Sequence, residues 1–251
     1  MKLNKHLCII PARLNSSRFP NKPLAPICGI PMLGHVALNA TKESIFDEVF
    51  VATCDNEIVE YCNSINIKSI LTSHNHERAT DRTQEATEFI ENKLNVAFDF
   101  ITMLQGDEPM ITSNILKKIT NYLNLHQSTK ILNLISKVED EDEFLSKNSV
   151  KIVCNLKNEI MLFSRCPIPN YTFNKSKSYK QLGIITFQRQ FLDTYSKLSP
   201  TYLEQIESVD MLRCLEHGFT INTLEITEKL YPVDIKEDIT KVEKYISNPL
   251  T

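Results

Sequence analysis

The stretch LCIIPARLNSSRFPNKPL, Leu7 to Leu24, decides how this chain is read. Its first four residues form an apolar run of strand length, and the next segment gathers Arg13, Arg18 and Lys22 within ten residues. Pro11, Pro20 and Pro23 limit the alternatives open to that segment, so bringing three cations around one ligand costs less entropy. In open α/β sheets ligands bind beyond the carboxyl ends of the strands. Cations bunched at that place point to a polyanionic ligand.

Outward from this stretch the chain alternates apolar runs with helical patterns. Further strand-like runs are VFVAT (49–53), FITML (100–104), ILNLIS (131–136) and VKIVC (150–154). Between them, Pro31 stands where a first helical residue is tolerated, and Met32, Leu33, Val36, Ala37 and Ala40 share a face. Thr80 or Asp81 is placed to cap a second helix with Ala86, Phe89, Ile90 and Leu94 at helical spacing, and Ser113 to cap a third with Ile115, Leu116, Ile119 and Leu123. Such alternation predicts an α/β fold, a mostly parallel sheet flanked by helices. No repeat or clear linker divides the 251 residues, so one domain over 1–251 is expected, with an inserted subregion at about 155–200. The polar stretch NYTFNKSKSYKQ (170–181) interrupts the pattern there, as an excursion from the sheet, a lid or a partner contact.

Composition narrows the function classes. A net charge of −3 argues against a general nucleic-acid binder, while leaving room for a local anion site. No apolar run approaches the roughly 18–20 residues that span a bilayer, and the four-residue apolar run near the start is too short for a signal peptide, so a cytoplasmic protein without membrane insertion is expected. Seven scattered cysteines form no Cys-x-x-Cys pair, which removes the usual zinc and thioredoxin-type motifs. Cys8 and Cys154 read as buried apolar residues, and Cys54 lies near the candidate ligand loop.

The common nucleotide signatures are also missing. There is neither a phosphate loop of the G-x-x-x-x-G-K-[ST] type nor a dinucleotide fingerprint, and five glycines cannot build a glycine-rich cradle. Arg13, Arg18 and Lys22 would have to hold phosphates by side-chain charge. MLQGDEPMI (103–111) then places Asp107 and Glu108 after a strand, where carboxylates can hold a divalent cation together with phosphate oxygens. Asp234 in LYPVDIKEDI (230–239) follows another apolar segment in the same way. Either aspartate could equally cap a helix.

Eight segments in order extend the pattern: IIPARLNSSRFPNKPL, VATCDNEI, HERATDR, LQGDEPMI, LFSRCPIP, KQLGI, LEQIESVDMLR and VDIKEDITKV. Through them the chain resembles, nearly end to end, the 3-deoxy-manno-octulosonate (Kdo) cytidylyltransferases, also called CMP-Kdo synthetases. The resemblance implies a nucleotide-diphospho-sugar-transferase-like fold whose inserted subregion serves dimerisation, giving a homodimer. It implies transfer of CMP from CTP to an acidic sugar for lipopolysaccharide synthesis, with release of pyrophosphate and Mg²⁺ as cofactor. It also implies that Arg13, Arg18 and Lys22 hold the triphosphate, with Thr80 and Arg82 at the nucleotide, and that Asp107 and Asp234 bind Mg²⁺. Lys22, Arg13 and Asp107 would be catalytic, and Gln105, Arg165, Gln181, Glu204 and Gln205 would face the sugar acid. Glu207 has similar reach, or is a surface helix residue.

The departures fall at the sugar end and beside the nucleotide. Where the family has Lys-His-Val-Gly-Ile-Tyr this chain reads KQLGII, with Gln181 for the His and Ile185 for the Tyr. Arg78 and Ala79 stand where the family has Ser and Gly. Retained cytidylyl transfer to Kdo or a modified Kdo is expected, the alternatives being a different acidic sugar such as a nonulosonate, or a silent nucleotide-binding homologue.

Overall fold

Leu7, Cys8, Ile9 and Ile10 are wholly buried, as befits a strand covered by helices on both faces. They lie in β1 (His6–Ala12) of the computed structural model, which describes residues 4–15 and 19–247. The chain continues through a single 3₁₀ turn at Lys22–Leu24 and a two-residue hairpin, β2 (Pro26–Ile27) and β3 (Ile30–Pro31). It then alternates α1 (Met32–Ala40), β4 (Glu48–Thr53), α2 (Asn56–Ser64), β5 (Ser69–Leu71), α3 (Ala79–Leu94), β6 (Phe100–Leu104) and α4 (Ser113–Leu125). The strands run in the order β6-β1-β4-β5, all parallel. Ala12 pairs with Thr53 and Thr53 with Leu71, so three carboxyl ends finish level. The loop that carries Arg13 and Lys22 starts at that edge.

Two helix starts differ from expectation. Residue Arg78, extended at φ −103° and ψ 143°, takes the N-cap of α3, and Asp81 sits inside the first turn, where its charge suits the helix dipole. Thr112 precedes α4 and its Oγ1 accepts from the Ile115 N–H at 3.4 Å, the role expected of Ser113. The inner face of α3 is rich in threonine (Thr80, Thr83 and Thr87, with Ala86 and Ile90), while Phe89 is left 54% exposed. Gly34 is needed in α1 for packing: a Cβ there would lie 2.1 Å from the Tyr61 hydroxyl of α2.

One buried group makes the fold sensitive to acid. His6 is packed edge-on against Phe46, its Nε2 lies 2.7 Å from Thr102 Oγ1, and burial drives its pKa down to about 3. Unfolded, it takes up a proton near pH 6.5, so between these values the unfolded chain binds the extra proton. Its effect on stability is absent above about pH 6.5 and grows as the pH falls toward 3. Going from pH 7 to 4.5 should cost about 3 kcal/mol through His6 alone. Urea unfolding at the two pH values should show this loss in the wild type and a smaller one in His6→Gln; equal losses would clear His6.

Residues 126–229 form a second compact unit, wider than the expected 155–200. It contains β7 (Ile131–Lys137), α5 (Glu141–Leu145), β8 (Lys151–Cys154), β9 (Ile160–Ser164), β10 (Tyr179–Gln188), α6 (Arg189–Tyr195), α7 (Tyr202–Glu207), α8 (Met211–Glu216) and β11 (Asn222–Ile226). Here β7 pairs antiparallel with β10 and parallel with β11, while β8 pairs antiparallel with β10 and β9. The stretch 170–181 closes a turn at Asn174, whose carbonyl accepts from Ser178 N at 2.7 Å, and then opens β10.

The chain then returns to the first unit, where α9 (Glu237–Ser247) packs on β2. Val233 and Val242 join Ile27 and Met32 in one buried cluster. That cluster returns residue 234 to the start of the chain. Among the described residues no helix is long and apolar enough to cross a membrane.

Candidate active site

The loop after β1 is tied down from several sides. Asp55 Oδ2 accepts from the Leu14 N–H at 2.7 Å, Leu14 O accepts from Asn21 N at 3.1 Å, and Asn21 adopts a left-handed conformation at φ 57°. Asparagine tolerates that region better than most residues. The turn then presents Lys22, whose Nζ donates to Asp107 Oδ2 at 2.7 Å and to Val233 O at 2.9 Å. The Val233 N–H in turn donates to Asp107 O at 3.0 Å, so the segments bearing Asp107 and Asp234 run side by side. Lys22, Asp107 and the segment that bears Asp234, spread over 213 positions of sequence, thus meet at one place in the first unit.

These groups are partly shielded, with side-chain exposures of 14% for Lys22 and 23% for Asp107. Two of the three ammonium donors of Lys22 have partners in the cluster, and a third can reach a phosphate oxygen. Arg13 is exposed nearby in sequence, with Nη1 3.5 Å from His76 O. Arg18 lies outside the described residues. Glu108 is turned inward, 3% exposed, and leaves Asp107 as the accessible carboxylate of the pair. Gln105 is half-buried at the end of β6. Gly106, between Gln105 and Asp107, is not in the left-handed region, and a Cβ there would make ordinary contacts from 3.4 Å.

No group of three or more His, Cys, Asp or Glu among the described residues forms a cage for a metal ion. The donor set still fits Mg²⁺. Asp107 and Asp234 would supply hard oxygen ligands, and Mg²⁺ usually takes one or two carboxylates with the rest from water and substrate phosphates.

Thr80 and Arg82, expected at the nucleotide, are instead built into the fold. Thr80 is wholly buried with Oγ1 3.8 Å from Met103 Sδ. The Arg82 guanidinium donates to Thr72 Oγ1, to Ser73 O at 3.3 Å and to Cys54 Sγ at 3.5 Å. It therefore fastens the ends of β4 and β5 together, and Cys54 serves as one of its anchors.

The second unit carries most of the residues expected at the sugar acid. The Arg165 side chain donates to Glu207 O at 2.7 Å, Lys147 O at 2.9 Å and Ser208 O at 3.3 Å. Its backbone is fixed as well, by Glu207 Oε2 on its N–H at 2.7 Å and by Lys151 Nζ on its carbonyl at 2.8 Å. Lys151 is fully buried and also donates to the carbonyls of Ser146 and Ser149; burial pushes its pKa down to about 8. Glu207 is thus a clamp on β9 rather than a free surface carboxylate. Glu204 departs furthest from expectation. It is 1% exposed, both of its oxygens accept from Arg213, at 2.8 and 2.6 Å, and it closes a capping box with Thr201. Gln205 beside it is exposed. Gln181 is half-buried and donates to Asn133, whereas Ile185 is 2% exposed and packs inside the sheet. Sequence reasoning missed Asn133, Lys151 and Arg213. The signal for Asn133 was an amide inside the apolar run ILNLIS.

A parallel α/β sheet with a lysine–carboxylate cluster beyond its strand ends has the architecture of a nucleotidyltransferase, and residues 7–229 match the Cytidylyltransferase family. The 3-deoxy-manno-octulosonate cytidylyltransferase of Geobacter metallireducens is 34% identical over 255 residues, covering 97% of this chain and 98% of that protein. That of Fusobacterium nucleatum is 36% identical over 243 residues, covering 96% and 97%. A CMP:2-keto-3-deoxy-manno-octonic acid synthetase solved in complex with CTP superposes with a TM-score of 0.84 at 33% identity, covering 98% of this chain and 100% of that one. This chain belongs to the 3-deoxy-manno-octulosonate cytidylyltransferase family.

Proposed function

We propose that this protein transfers the CMP moiety of CTP to the anomeric hydroxyl of Kdo or a modified Kdo, releasing pyrophosphate, in the service of lipopolysaccharide synthesis. The observation that carries the reading is the Lys22–Asp107 contact, joined to Val233, at the edge where the cationic loop leaves β1. The acceptor hydroxyl oxygen bonds to the α-phosphorus and gives up its proton to water as the bond to the β-phosphate oxygen breaks, and the electron pair departs with pyrophosphate. Such a displacement needs mainly positioning and charge neutralisation. Lys22, Arg13 and Arg18 hold the triphosphate, and the Lys22 ammonium meets the charge that grows on the leaving group. Asp107 and Asp234 would hold Mg²⁺, which would shield the phosphates and acidify the attacking hydroxyl. Arg165, its planar group held by three carbonyls, is the cation for the sugar carboxylate.

Pyrophosphate release from CTP tests this reading. With Kdo and Mg²⁺ the protein should turn over, and chelation with EDTA should stop it. Turnover only with a nonulosonate would move the acceptor class. Silence with every sugar acid at substrate-level CTP would reduce the protein to a nucleotide-binding homologue.

The same reading includes a homodimer built through the second unit. In that unit β9 pairs with β8 and leaves Met161 and Leu162 exposed at 61% and 37%, and Tyr202 and Ile206 of α7 stand out at 70% and 62%. Exposed apolar groups of this size are typical of contact surfaces when they adjoin. Sedimentation at micromolar concentration should give twice the monomer mass, and Met161→Asp should lower it. A monomer across that range would remove the dimer from the proposal.

A further inference from the structure

Residues 227–236 join β11 to α9 with neither helix nor strand, yet Val233 within them is wholly buried and supplies the carbonyl that anchors Lys22. A segment without a ladder of its own must find backbone partners elsewhere. The Val233 N–H finds one in Asp107 O at 3.0 Å. The next two N–H groups, of Asp234 and Ile235, both donate to a single atom, Oδ2 of Asp238, at 2.8 and 3.0 Å.

Asp238 lies in the first turn of α9, and that helix is fastened on its own account. Val242 sits in the buried cluster with Ile27, Met32 and Val233, and Glu243 Oε1 accepts from the Cys28 N–H of the β2–β3 hairpin at 2.9 Å. Before Val233, the Tyr231 ring stacks on Tyr245 of α9 at 4.5 Å, with the two hydroxyls 2.9 Å apart. The helix thus grips the irregular segment on either side of Val233, by a ring before it and a carboxylate after it. Apolar packing and stacked rings set a distance, whereas hydrogen bonds to a charged oxygen also set the direction of each N–H.

That direction matters because of one peptide. The unit joining Val233 to Asp234 carries both the carbonyl that accepts from Lys22 Nζ at 2.9 Å and the N–H that donates to Asp238. It is trans, so it is a rigid plate whose C=O and N–H point to opposite sides. Asp238 and Lys22 hold this plate from its two edges. A rotation that takes the N–H away from Asp238 takes the carbonyl away from Lys22.

We propose that Asp238 is a positioning residue for Lys22: its carboxylate fixes the Val233–Asp234 peptide, and so aims the carbonyl that anchors the ammonium and the backbone from which Asp234 projects. The kinetic consequences rest on the cytidylyl-transfer reading above, whereas the hold on the peptide does not. An acidic residue in a first helical turn can serve the helix dipole instead, and a carboxylate can ligate a metal directly; both of these roles need its charge. Positioning needs an acceptor oxygen and not the charge.

Asp238→Asn keeps such an oxygen and Asp238→Ala does not. In the free protein the Asp234 and Ile235 amides should exchange slowly with water in the wild type and in Asp238→Asn. In Asp238→Ala they should exchange about 10- to 100-fold faster, the protection that a bond to a charged group supplies. The Val233 amide, bound to Asp107 and not to Asp238, should quicken with them as the segment loosens. With CTP, Mg²⁺ and Kdo, Asp238→Ala should lower kcat about 10- to 100-fold, as small misplacements of reacting groups do. The Mg²⁺ concentration for half-maximal rate should rise, the KM for Kdo should hold, and Asp238→Asn should stay close to the wild type.

Fast exchange at Asp234 and Ile235 in the wild type overturns the proposal, and so does a Val233 amide that stays protected in Asp238→Ala with kcat unchanged. A kinetic loss in Asp238→Asn as large as in Asp238→Ala overturns it in favour of a role for the charge. A lowered melting temperature with every constant per folded molecule unchanged reduces Asp238 to a helix-start residue. Where Asp238→Ala does not fold, wild-type exchange and the Asp238→Asn kinetics decide. If the wild type uses none of the sugar acids, the functional reading falls, and amide exchange still decides whether Asp238 holds the peptide.

Discussion

Lys22→Ala should lower the turnover number for pyrophosphate release by about 10²- to 10³-fold, the loss typical when one preorganised group facing developing charge is removed. The Michaelis constant for CTP should rise far less. The leaving pyrophosphate gains charge as its bond to the α-phosphorus breaks, so an ammonium beside it gains more in the transition state than in the ground state. The structure adds a condition to this expectation. Lys22 also ties its loop to Asp107 and to Val233, with Nζ distances of 2.7 and 2.9 Å, so its removal frees a partly shielded carboxylate. The melting temperature of Lys22→Ala must therefore be measured beside its kinetics. Asp107→Ala should show a comparable loss of turnover together with a loss of Mg²⁺ dependence, which Lys22→Ala should retain. Unchanged turnover with weaker CTP binding would reduce Lys22 to an anchor, and no change in either constant would return the loop to solvated surface.

Glu204→Ala should destabilise the protein by about 3–5 kcal/mol, the cost of leaving one member of a buried ion pair alone. Arg213 would remain 5% exposed, its guanidinium over the Tyr195 ring at 4.7 Å, having lost the carboxylate that accepts two of its bonds. The same change opens the capping box at the start of α7, where Glu204 Oε2 accepts from Thr201 N at 3.2 Å. Arg213→Ala should cost a similar amount, and the double variant less than the sum, because the second change removes an already orphaned charge. Urea unfolding decides this. A stable Glu204→Ala with a greatly raised KM for the sugar acid would restore the substrate role that the family resemblance implies.

These two residues show where sequence reading succeeds and where it stops. The strands were legible because an apolar run of strand length between turn residues has few other solutions, and LCII, VFVAT and FITML all lie in buried strands. The cationic loop was legible for a local reason too: three cations and three prolines within fourteen residues are unusual wherever they fold. Glu204 and Gln205 were not separable in this way. They are neighbours with similar side chains, yet one faces Arg213 in the core and the other faces solvent, a difference set by which side of a six-residue helix packs inward.

By itself, then, the sequence determined the alternation of strands and helices, the cationic loop after β1 and, through eight ordered segments, the family. Each is encoded by neighbours in the chain, where spacing and residue type suffice. Tertiary structure alone decided the partners. Lys22 meets Asp107 across 85 positions because β1 and β6 lie side by side in parallel, and the Asp234 segment reaches them because the Val233–Val242 region packs on Ile27 and Met32. Asn133 meets Gln181 across 48 positions because β7 and β10 pair antiparallel and lose register at that point. Strand register is a property of two segments at once, and no local pattern in either one records it.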